Sequence, residues 1–277
     1  MITFCIPGRI EVGVGTFSRM AEMVKSLGVK KPLIVMDAFL ASPAVGLDKK
    51  AIAILTEAGL GGVVYSGITG EPSSENVAEG LVAVASAGAD SIIALGGGSA
   101  IDVAKAVAVL AVNPEMPFND ISKQAFLKRL PLVAVPTTSG TGSEATKVSV
   151  ITNAKTGIKE NPGHPSMVPD IAILDPELTI TMPPALTSFT GMDALTHAME
   201  AFVSNKANSM SDLFAYESMK LCGLWLEKAV SDGKDAEARE KMAMASCLGG
   251  IAFSNASTNL AHAGGRALGA YFHVPHG

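Results

Sequence analysis

The stretch SIIALGGGSAIDVAKAVAVLAV, residues 91–112, carries the clearest indication of how this chain folds. Its first five residues form a short apolar run that is typical of a buried strand, and three glycines follow at once. The residues after Ser99 show the apolar spacing of a helix. A strand, a glycine-rich turn and a helix in direct succession indicate one unit of a parallel α/β sheet.

Similar units fill the rest of the first half of the chain. Helical patterns near residues 45–58 and 72–88 separate the apolar runs, and residues 147–160 resemble a hairpin. The other predicted strands are residues 32–37, 62–67, 131–136 and 170–175. Apolar strands that alternate with helices predict a parallel sheet covered on both faces.

The strand signals stop after MPPALT, residues 182–187, where Pro183 and Pro184 punctuate the pattern. Only helical patterns follow, over about residues 186–203, 209–230, 235–254 and 258–270. We therefore predict an α/β domain over residues 1–184 and an all-helical domain over residues 185–277.

Composition narrows the class of protein. Apolar residues make up 48% of the chain and charged residues 17%, which suits a globular protein with a sizeable core. A net charge of −5 without a basic stripe argues against a nucleic-acid partner. Asp102 and Lys105 interrupt the most apolar stretch, so we expect no membrane span. The three cysteines form no CxxC pair and the start lacks a signal-peptide pattern, which favours a cytoplasmic protein.

The glycine loop at residues 96–99, GGGS, is a candidate phosphate site. Glycines let the backbone approach a ligand closely, and the free N–H groups at a helix N-terminus attract a pyrophosphate. The loop is not a GxGxxG fingerprint, because Ile101 occupies the third glycine position. The alternative interpretation is a tight turn between a strand and a helix.

A second loop, PTTSGTGSEATK at residues 136–147, follows another predicted strand and is rich in hydroxyls and glycines. It belongs to the same carboxyl edge of the sheet, where open α/β sheets bind ligands. Alone it could be an ordinary Ser/Thr turn. Together with the glycine loop it predicts the second wall of a nucleotide cleft.

Asp37 ends the first predicted strand of the α/β region. An acid at this position can accept hydrogen bonds from a ribose diol and repel a 2′-phosphate. A helix N-cap is the alternative role. Because this acid precedes the glycine loop in the chain, the arrangement is not the usual Rossmann order.

A possible metal site involves the second half of the chain. Asp193 and His197 are four positions apart, hence neighbours on one helical face, and His262 and His276 are fourteen positions apart near the end. One carboxylate with several imidazoles suits Zn²⁺ or Fe²⁺. Structural histidines are the alternative, although the chain has only five histidines in all.

The chain resembles the iron-containing (group III) alcohol dehydrogenase family over nearly its whole length. The segments that carry the resemblance, in order, are GGGSAIDVAKA, PTTSGTGSE, DPELTITMPP, GMDALTHAMEAFVS and HVPHG. The resemblance implies an α/β dinucleotide-binding domain followed by an all-α metal-binding domain, which is a dehydroquinate synthase-like fold. It also implies an enzyme that transfers hydride between a primary alcohol and NAD, with NADP less favoured, and uses a metal as a Lewis acid.

Roles follow from the resemblance residue by residue. The metal ligands are Asp193, His197, His262 and His276. The positions that match the family's cofactor cleft are Asp37, Gly96, Gly97, Gly98, Ser99, Asp102, Thr137, Thr138, Thr141, Thr146 and Lys159. Asp37 matches the acid at the adenosine ribose and so favours NAD. His273 is a candidate proton relay, with simple solvent exposure as the alternative.

The chain departs from the family's pattern at two points. The family commonly carries a further histidine four residues after the third ligand, where this chain has Arg266. That guanidinium could recognise an anionic group on the substrate, or could be a surface charge or pair with a carboxylate. The family also continues for several helices beyond HVPHG, so we expect a C-terminally truncated chain with an incomplete helical domain.

Two other functions stay open on the sequence. One is a glycerol-dehydrogenase-like polyol oxidoreductase, which shares the fold, NAD and a metal. The other is a non-catalytic fragment that binds nucleotide and metal. The patterns do not decide between Fe²⁺ and Zn²⁺. We expect a small alcohol or aldehyde as the partner molecule and a homo-oligomer, such as a dimer.

Overall fold

The computed structural model describes residues 3–272 together with His276. Its strands are β1 (Arg9–Val12), β2 (Pro32–Asp37), β3 (Val63–Ile68), β4 (Ser91–Gly96), β5 (Leu132–Pro136), β6 (Ile151–Thr152), β7 (Lys159–Glu160) and β8 (Ile171–Leu174). Its α-helices are α1 (Met20–Ser26), α2 (Leu47–Glu57), α3 (Ser74–Ala87), α4 (Gly98–Leu110), α5 (Pro184–Phe202), α6 (Ser209–Ser231), α7 (Ala236–Asn255) and α8 (Leu260–Phe272).

Six strands form one parallel sheet in the order β1-β8-β5-β4-β2-β3. The chain leaves β2 toward one edge and leaves β4 toward the other, so the topological switch point lies between these two strands. The short strands β6 and β7 pair antiparallel, as the predicted hairpin requires. The α/β domain followed by helices is confirmed.

Alternate side chains of the central strands enter two separate cores. Ile34 and Met36 face α1 and α2 on one side of the sheet. Leu33 and Val35 face α3 and α4 on the other side. All four are fully buried, and burial of each such side chain contributes about 2 kcal/mol. The continuous apolar runs therefore fit a sheet that is covered on both faces.

Strand β1 and helix α1 were not among the predicted elements. The sequence of β1 is RIEV, and only its inner pair of residues is half-buried, because β1 lies at the edge of the sheet and pairs with β8 alone. Helix α1 has seven residues, too few for a clear amphipathic pattern. Both elements are stabilised by tertiary contacts that a short sequence window does not show.

The helical region packs on the sheet through α7. Ala145 and Leu174 from the sheet side form one apolar cluster with Cys247 and Ile251 of α7. Arg239 of α7 is buried and donates hydrogen bonds to the backbone oxygens of Met182 and Gly233 and to the Thr187 hydroxyl. These hydrogen bonds attach the segment that links the sheet to the helices, which contains Met182, to both α5 and α7.

Within the residues that the structure describes, no helix combines the length and the apolar character needed to cross a bilayer.

Backbone contact between Gly142 and Gly250 determines how closely α7 approaches the sheet. A Cβ atom on Gly250 would lie 2.4 Å from the Gly142 carbonyl oxygen. We expect Gly250→Ala to lower the free energy of unfolding by about 1–3 kcal/mol, because backbone atoms on both sides must separate. Urea unfolding measures this change.

Gly223 provides a matched control for this prediction. It is also a helical glycine, but a Cβ atom there would meet nothing within 4 Å. Gly223→Ala should stabilise the chain by up to about 1 kcal/mol through helix propensity. If Gly250→Ala is as stable as Gly223→Ala, close approach of the two backbones is not a constraint on this fold.

Candidate nucleotide and metal site

One cleft at the carboxyl edge of the sheet extends from the glycine loop to the histidine cluster, which we define as His197, His262 and His276 beside Asp193. It encloses about 360 Å³ and is walled by both halves of the chain. The lining residues are Glu71, Pro72, Gly97, Gly98, Ser99, Asp102, Thr138, Thr141, Ser143, Thr146, Val148, Val150, Lys159, Thr190, Asp193, His197, Phe253, Thr258, His262 and His276. The sequence-predicted cofactor loops and metal candidates therefore meet in one place.

The glycine loop opens helix α4 without a capping side chain, since its N-cap residue is Gly97. The first N–H groups of α4 are consequently available to a ligand in the cleft, where the helix dipole favours an anion. A Cβ atom on Gly98 would lie 2.7 Å from the Thr141 methyl group. Close packing of the two loops thus requires a glycine here, and it leaves Ser99 lining the cleft.

Asp37 lies at the switch point, beside the glycine loop. Its Oδ2 atom accepts a hydrogen bond from the Gly97 N–H at 3.1 Å. Burial raises the pKa of Asp37, and that hydrogen bond partly opposes the rise. A Cβ atom on Gly96 would come within 2.3 Å of the Asp37 carboxylate, so a glycine is needed there as well. Asp37 and Gly96 are not among the residues that line the cleft, and Asp37 is partly exposed beside the glycine loop.

The hydroxyl-rich loop forms the opposite wall. Thr138, Thr141 and Thr146 line the cleft, as the sequence interpretation expects. Thr137 is buried, and its N–H donates to the Gly96 carbonyl at 3.0 Å, which joins the two loops directly. Thr137 therefore supports the wall from behind.

Lys105 was not among the sequence-predicted site residues. Its ammonium is fully buried and donates to the hydroxyls of Ser143 and Thr146 and to the Val148 carbonyl, at 2.7–2.8 Å. Burial lowers the pKa of Lys105 to about 8, although Asp102 opposes that effect from 3.8 Å. The i, i+3 spacing of Asp102 and Lys105 was the only signal in the sequence.

Asp102 is held at the cleft floor from several sides. Its Oδ1 accepts from the Ser143 hydroxyl at 2.5 Å and its Oδ2 from the Val150 N–H at 2.9 Å. Burial raises its pKa, with the Lys105 ammonium acting in the opposite direction. Asp102 therefore connects α4 to both ends of the segment that follows β5.

Glu144 is a second buried acid that the motifs did not single out. Burial raises the pKa of this carboxyl to about 7, and its own backbone N–H and Lys105 oppose the rise only in part. The side chain lies behind the hydroxyl loop and is 1% exposed.

Lys159 lies in the wall of the cleft, where its ammonium pairs with the Glu71 carboxylate at 2.8 Å. The predicted cofactor position of Lys159 thus belongs to the cleft. In this structure the lysine holds the β7 strand against the segment before α3.

The four metal candidates converge at the inner end of the cleft. Helix α5 presents Asp193 and His197 on one face, and His197 Nδ1 lies 3.8 Å from Asp193 Oδ2. The Nε2 atoms of His262 and His276 lie 3.5 Å and 3.8 Å from Asp193 Oδ1. One donor atom from each of Asp193, His262 and His276 lies within 4.8 Å of the others, the spacing of a metal-binding group, whereas His197 lies beside this group and not within it.

The donor set fits a divalent metal. His197 Nδ1 and His262 Nε2 are buried nitrogens without a hydrogen-bond partner among the described residues, and both face Asp193. Burial lowers the pKa of His197 to about 4, so this imidazole is neutral and can donate its lone pair. Burial acts to raise the pKa of Asp193, but the three neighbouring histidines outweigh burial and lower the pKa below its ordinary value, so the carboxylate is ionised.

Glu200 was also missed from the sequence, although it lies seven positions after Asp193 on the same helix. Its Oε2 atom lies 2.6 Å from Nδ1 of His262. Both side chains are buried. The i, i+4, i+7 spacing of Asp193, His197 and Glu200 was the available signal.

Two candidate catalytic residues lie outside what the structure describes. His273 is outside the described residues altogether. The backbone of Arg266 belongs to α8, but its side chain is not described. Their proposed roles stay predictions.

Comparison with known proteins gives matches along the whole chain. The profile of the family described as "Iron-containing alcohol dehydrogenase" matches residues 7–176. The profile described as "Fe-containing alcohol dehydrogenase family, C-terminal" matches residues 187–277.

Individual relatives agree with the profiles. "Probable alcohol dehydrogenase EutG" of Escherichia coli is 40% identical over 99% of this chain and 69% of its own length. The "NAD-dependent methanol dehydrogenase" of Bacillus methanolicus is 38% identical over 100% of this chain and 72% of its own length. The solved structure of "Alcohol dehydrogenase from Oenococcus oeni" is 36% identical, with a TM-score of 0.96 over 100% of this chain and 73% of that one.

The raised pKa of Glu144 predicts a pH dependence of stability. The pKa is about 7 in the folded chain and 4.5 when unperturbed, so between these values the folded chain binds a proton that the unfolded chain has released. The stability that this proton contributes is present below pH 4.5 and is lost as pH rises to about 7.

Glu144→Gln should remove this dependence. The variant should gain stability over the parent chain as pH rises through this window, by up to about 3 kcal/mol. Urea unfolding of both proteins at several pH values gives the difference. Parallel stability curves for the two proteins would contradict the buried, protonated carboxyl.

Proposed function

The chain belongs to the iron-containing alcohol dehydrogenase family, and we propose that its cleft holds NAD and a small alcohol beside a metal bound by one aspartate and three histidines. The protein is a metal-dependent, NAD(P)-linked alcohol dehydrogenase. The proposed ligands are Asp193, His197, His262 and His276. We assign nucleotide binding to residues 1–184 and metal binding to residues 185–277, because the ligands lie on or after α5.

The observation that carries the proposal is the pair of buried histidine nitrogens that face Asp193 and find no hydrogen-bond partner in the described part of the chain. A buried polar nitrogen without a partner is costly, and coordination to a metal ion would remove that cost. Fe²⁺ is the metal for which the family is named, and Zn²⁺ is the alternative with the same donors. A bound ion of either kind supplies a Lewis acid to the alcohol oxygen.

The chain's own groups supply position and charge. The first N–H groups of α4 hold the pyrophosphate, and Asp37 accepts hydrogen bonds from the adenosine ribose. NAD supplies the nicotinamide that exchanges hydride with the substrate. Because the cleft runs without interruption from Gly97 to Asp193, the dinucleotide is directed toward the metal ligands.

Three apolar side chains contribute to the wall of the cleft. Phe253 stacks on His197 with ring centroids 4.2 Å apart, and Val148 and Val150 also line the cleft. These groups exclude water and offer few hydrogen bonds to extra hydroxyls. They therefore favour a small primary alcohol or aldehyde over a polyol.

Two further expectations concern the protein in the cell. A cytoplasmic location accords with three free cysteines, of which Cys222 and Cys247 are buried. A homo-oligomer, such as a dimer, is the expected assembly state. Sedimentation of the purified protein measures it.

Asp193→Asn should abolish metal binding, since the carboxylate is the only acid among the proposed ligands. We expect less than about a tenth of the parent's bound Fe²⁺ or Zn²⁺ and a loss of activity of at least about 100-fold on simple primary alcohols. Elemental analysis of anaerobically purified protein and NADH absorbance provide the two measurements.

His164→Asn is a suitable control, because His164 is a buried histidine that caps a short helix through Ser166 and lies outside the cleft lining. It should keep the parent's metal content. Full metal content in Asp193→Asn would refute the proposed ligand set. Higher activity on glycerol than on primary alcohols would favour the polyol alternative.

Asp37→Asn tests the proposed ribose contact. The amide can still accept the Gly97 hydrogen bond, but it lacks the charge that repels a 2′-phosphate. We expect the ratio of kcat/KM for NADP to kcat/KM for NAD to rise at least about tenfold, which corresponds to about 1.4 kcal/mol. An unchanged ratio would show that Asp37 does not select the cofactor.

A further inference from the structure

We propose that Glu200 is a positioning residue, which fixes His262 in the tautomer that offers Nε2 to the metal. The proposal rests on the proposed function, because it takes His262 as a ligand. It adds a group outside the ligand set, contributed by the same helix that carries Asp193 and His197.

The contact between Glu200 and His262 determines where the imidazole proton lies. A separation of 2.6 Å between a carboxylate oxygen and Nδ1 requires a proton between them, and the carboxylate is the acceptor. When Nδ1 carries the proton of the neutral ring, Nε2 carries the lone pair. This Nε2 is the atom that faces Asp193 and has no hydrogen-bond partner among the residues that the structure describes.

The same carboxylate also fixes the backbone from which His262 projects. Its Oε1 accepts from the Ala261 N–H at 2.6 Å, and its Oε2 accepts from the Asn259 N–H at 2.7 Å. The Asn259 side chain in turn donates to the Glu200 carbonyl oxygen at 2.8 Å. Glu200 thus caps the start of α8 from another helix, and it sets both the position and the rotation of the imidazole.

Charge balance explains why an acid is found in this buried place. A divalent ion with Asp193 as its one acidic ligand leaves one positive charge beside the buried His262 ring. The Glu200 side chain is 9% exposed and His262 is 4% exposed, so the second carboxylate balances that charge through the ring. Capping of α8 alone would need only a neutral acceptor.

Glu200→Gln distinguishes positioning from capping. The amide has one oxygen in place of two, so its NH₂ group must face either His262 Nδ1 or the Ala261 N–H. We expect Zn²⁺ affinity, measured by competition with a chelator, to fall by about 10–100-fold. We expect NAD affinity, measured by calorimetry, to stay within about twofold, because the glycine loop is untouched.

A spectroscopic readout addresses the proton directly. In the Zn²⁺-loaded parent chain, ¹⁵N-edited NMR should show a slowly exchanging proton on Nδ1 of His262, shifted downfield by the carboxylate. Saturated with excess Zn²⁺, the Glu200→Gln variant should lose that signal. The measurement on the parent chain tests the proposal even if the variant does not fold. A His262 ring that is protonated on Nε2 or coordinated through Nδ1 overturns the proposal.

Asp235→Ala provides the matched control. Asp235 caps α7 by accepting the Ala238 N–H and does not contact the histidine cluster. This variant should lower the unfolding midpoint by about 3 °C and leave both the Zn²⁺ affinity and the His262 signal unchanged.

If the Glu200→Gln variant keeps both its Zn²⁺ affinity and its His262 signal, Glu200 acts only as a helix cap and the proposal is refuted. That result is distinct from failure of the ligand set. In the latter case Asp193→Asn would bind Zn²⁺ as tightly as the parent chain does.

Discussion

The buried ammonium of Lys105 is the constraint on which the cleft depends. An unpaired cation in the interior is very costly, so oxygens of Ser143, Thr146 and Val148 must surround it. These oxygens belong to the segment after β5, whereas Lys105 belongs to α4. Satisfying one charge therefore holds the hydroxyl-rich loop against the helix that the glycine loop opens, and the cleft between them has a fixed width.

A second constraint attaches the proposed metal ligands to that cleft. Gly142, in the same loop, meets Gly250 of α7 backbone to backbone, and Gly249 lies against Ala194 of α5. The face of α5 that bears Asp193 is thereby held at the inner end of the cleft. Glu200 continues this chain of contacts to α8 and to His262. The glycine loop, the hydroxyl-rich loop and the proposed metal ligands are thus parts of one packed structure.

Periodic and local features were readable from the sequence. Strands β2, β4 and β5 are buried on both faces and appear as unbroken apolar runs. The spacing of Asp193 and His197 indicates one helical face. Strand β1 was not predicted, because a four-residue strand that pairs with β8 at the edge of the sheet shows little hydrophobic pattern. Lys105, Glu144 and Glu200 were not predicted because charged residues on helices and loops usually face solvent, and only the packed structure shows that these three do not.

The sequence by itself indicated the alternation of strands and helices from β2 onward, the two glycine-containing loops and the helical pair Asp193 and His197, because each depends on residues close together in the chain. Only the tertiary structure decided which side chains support them. Asp37 meets Gly97 across sixty positions, and Glu200 meets His262 across sixty-two. Such contacts arise when buried charges and backbone groups find partners during packing, and no local pattern encodes that outcome.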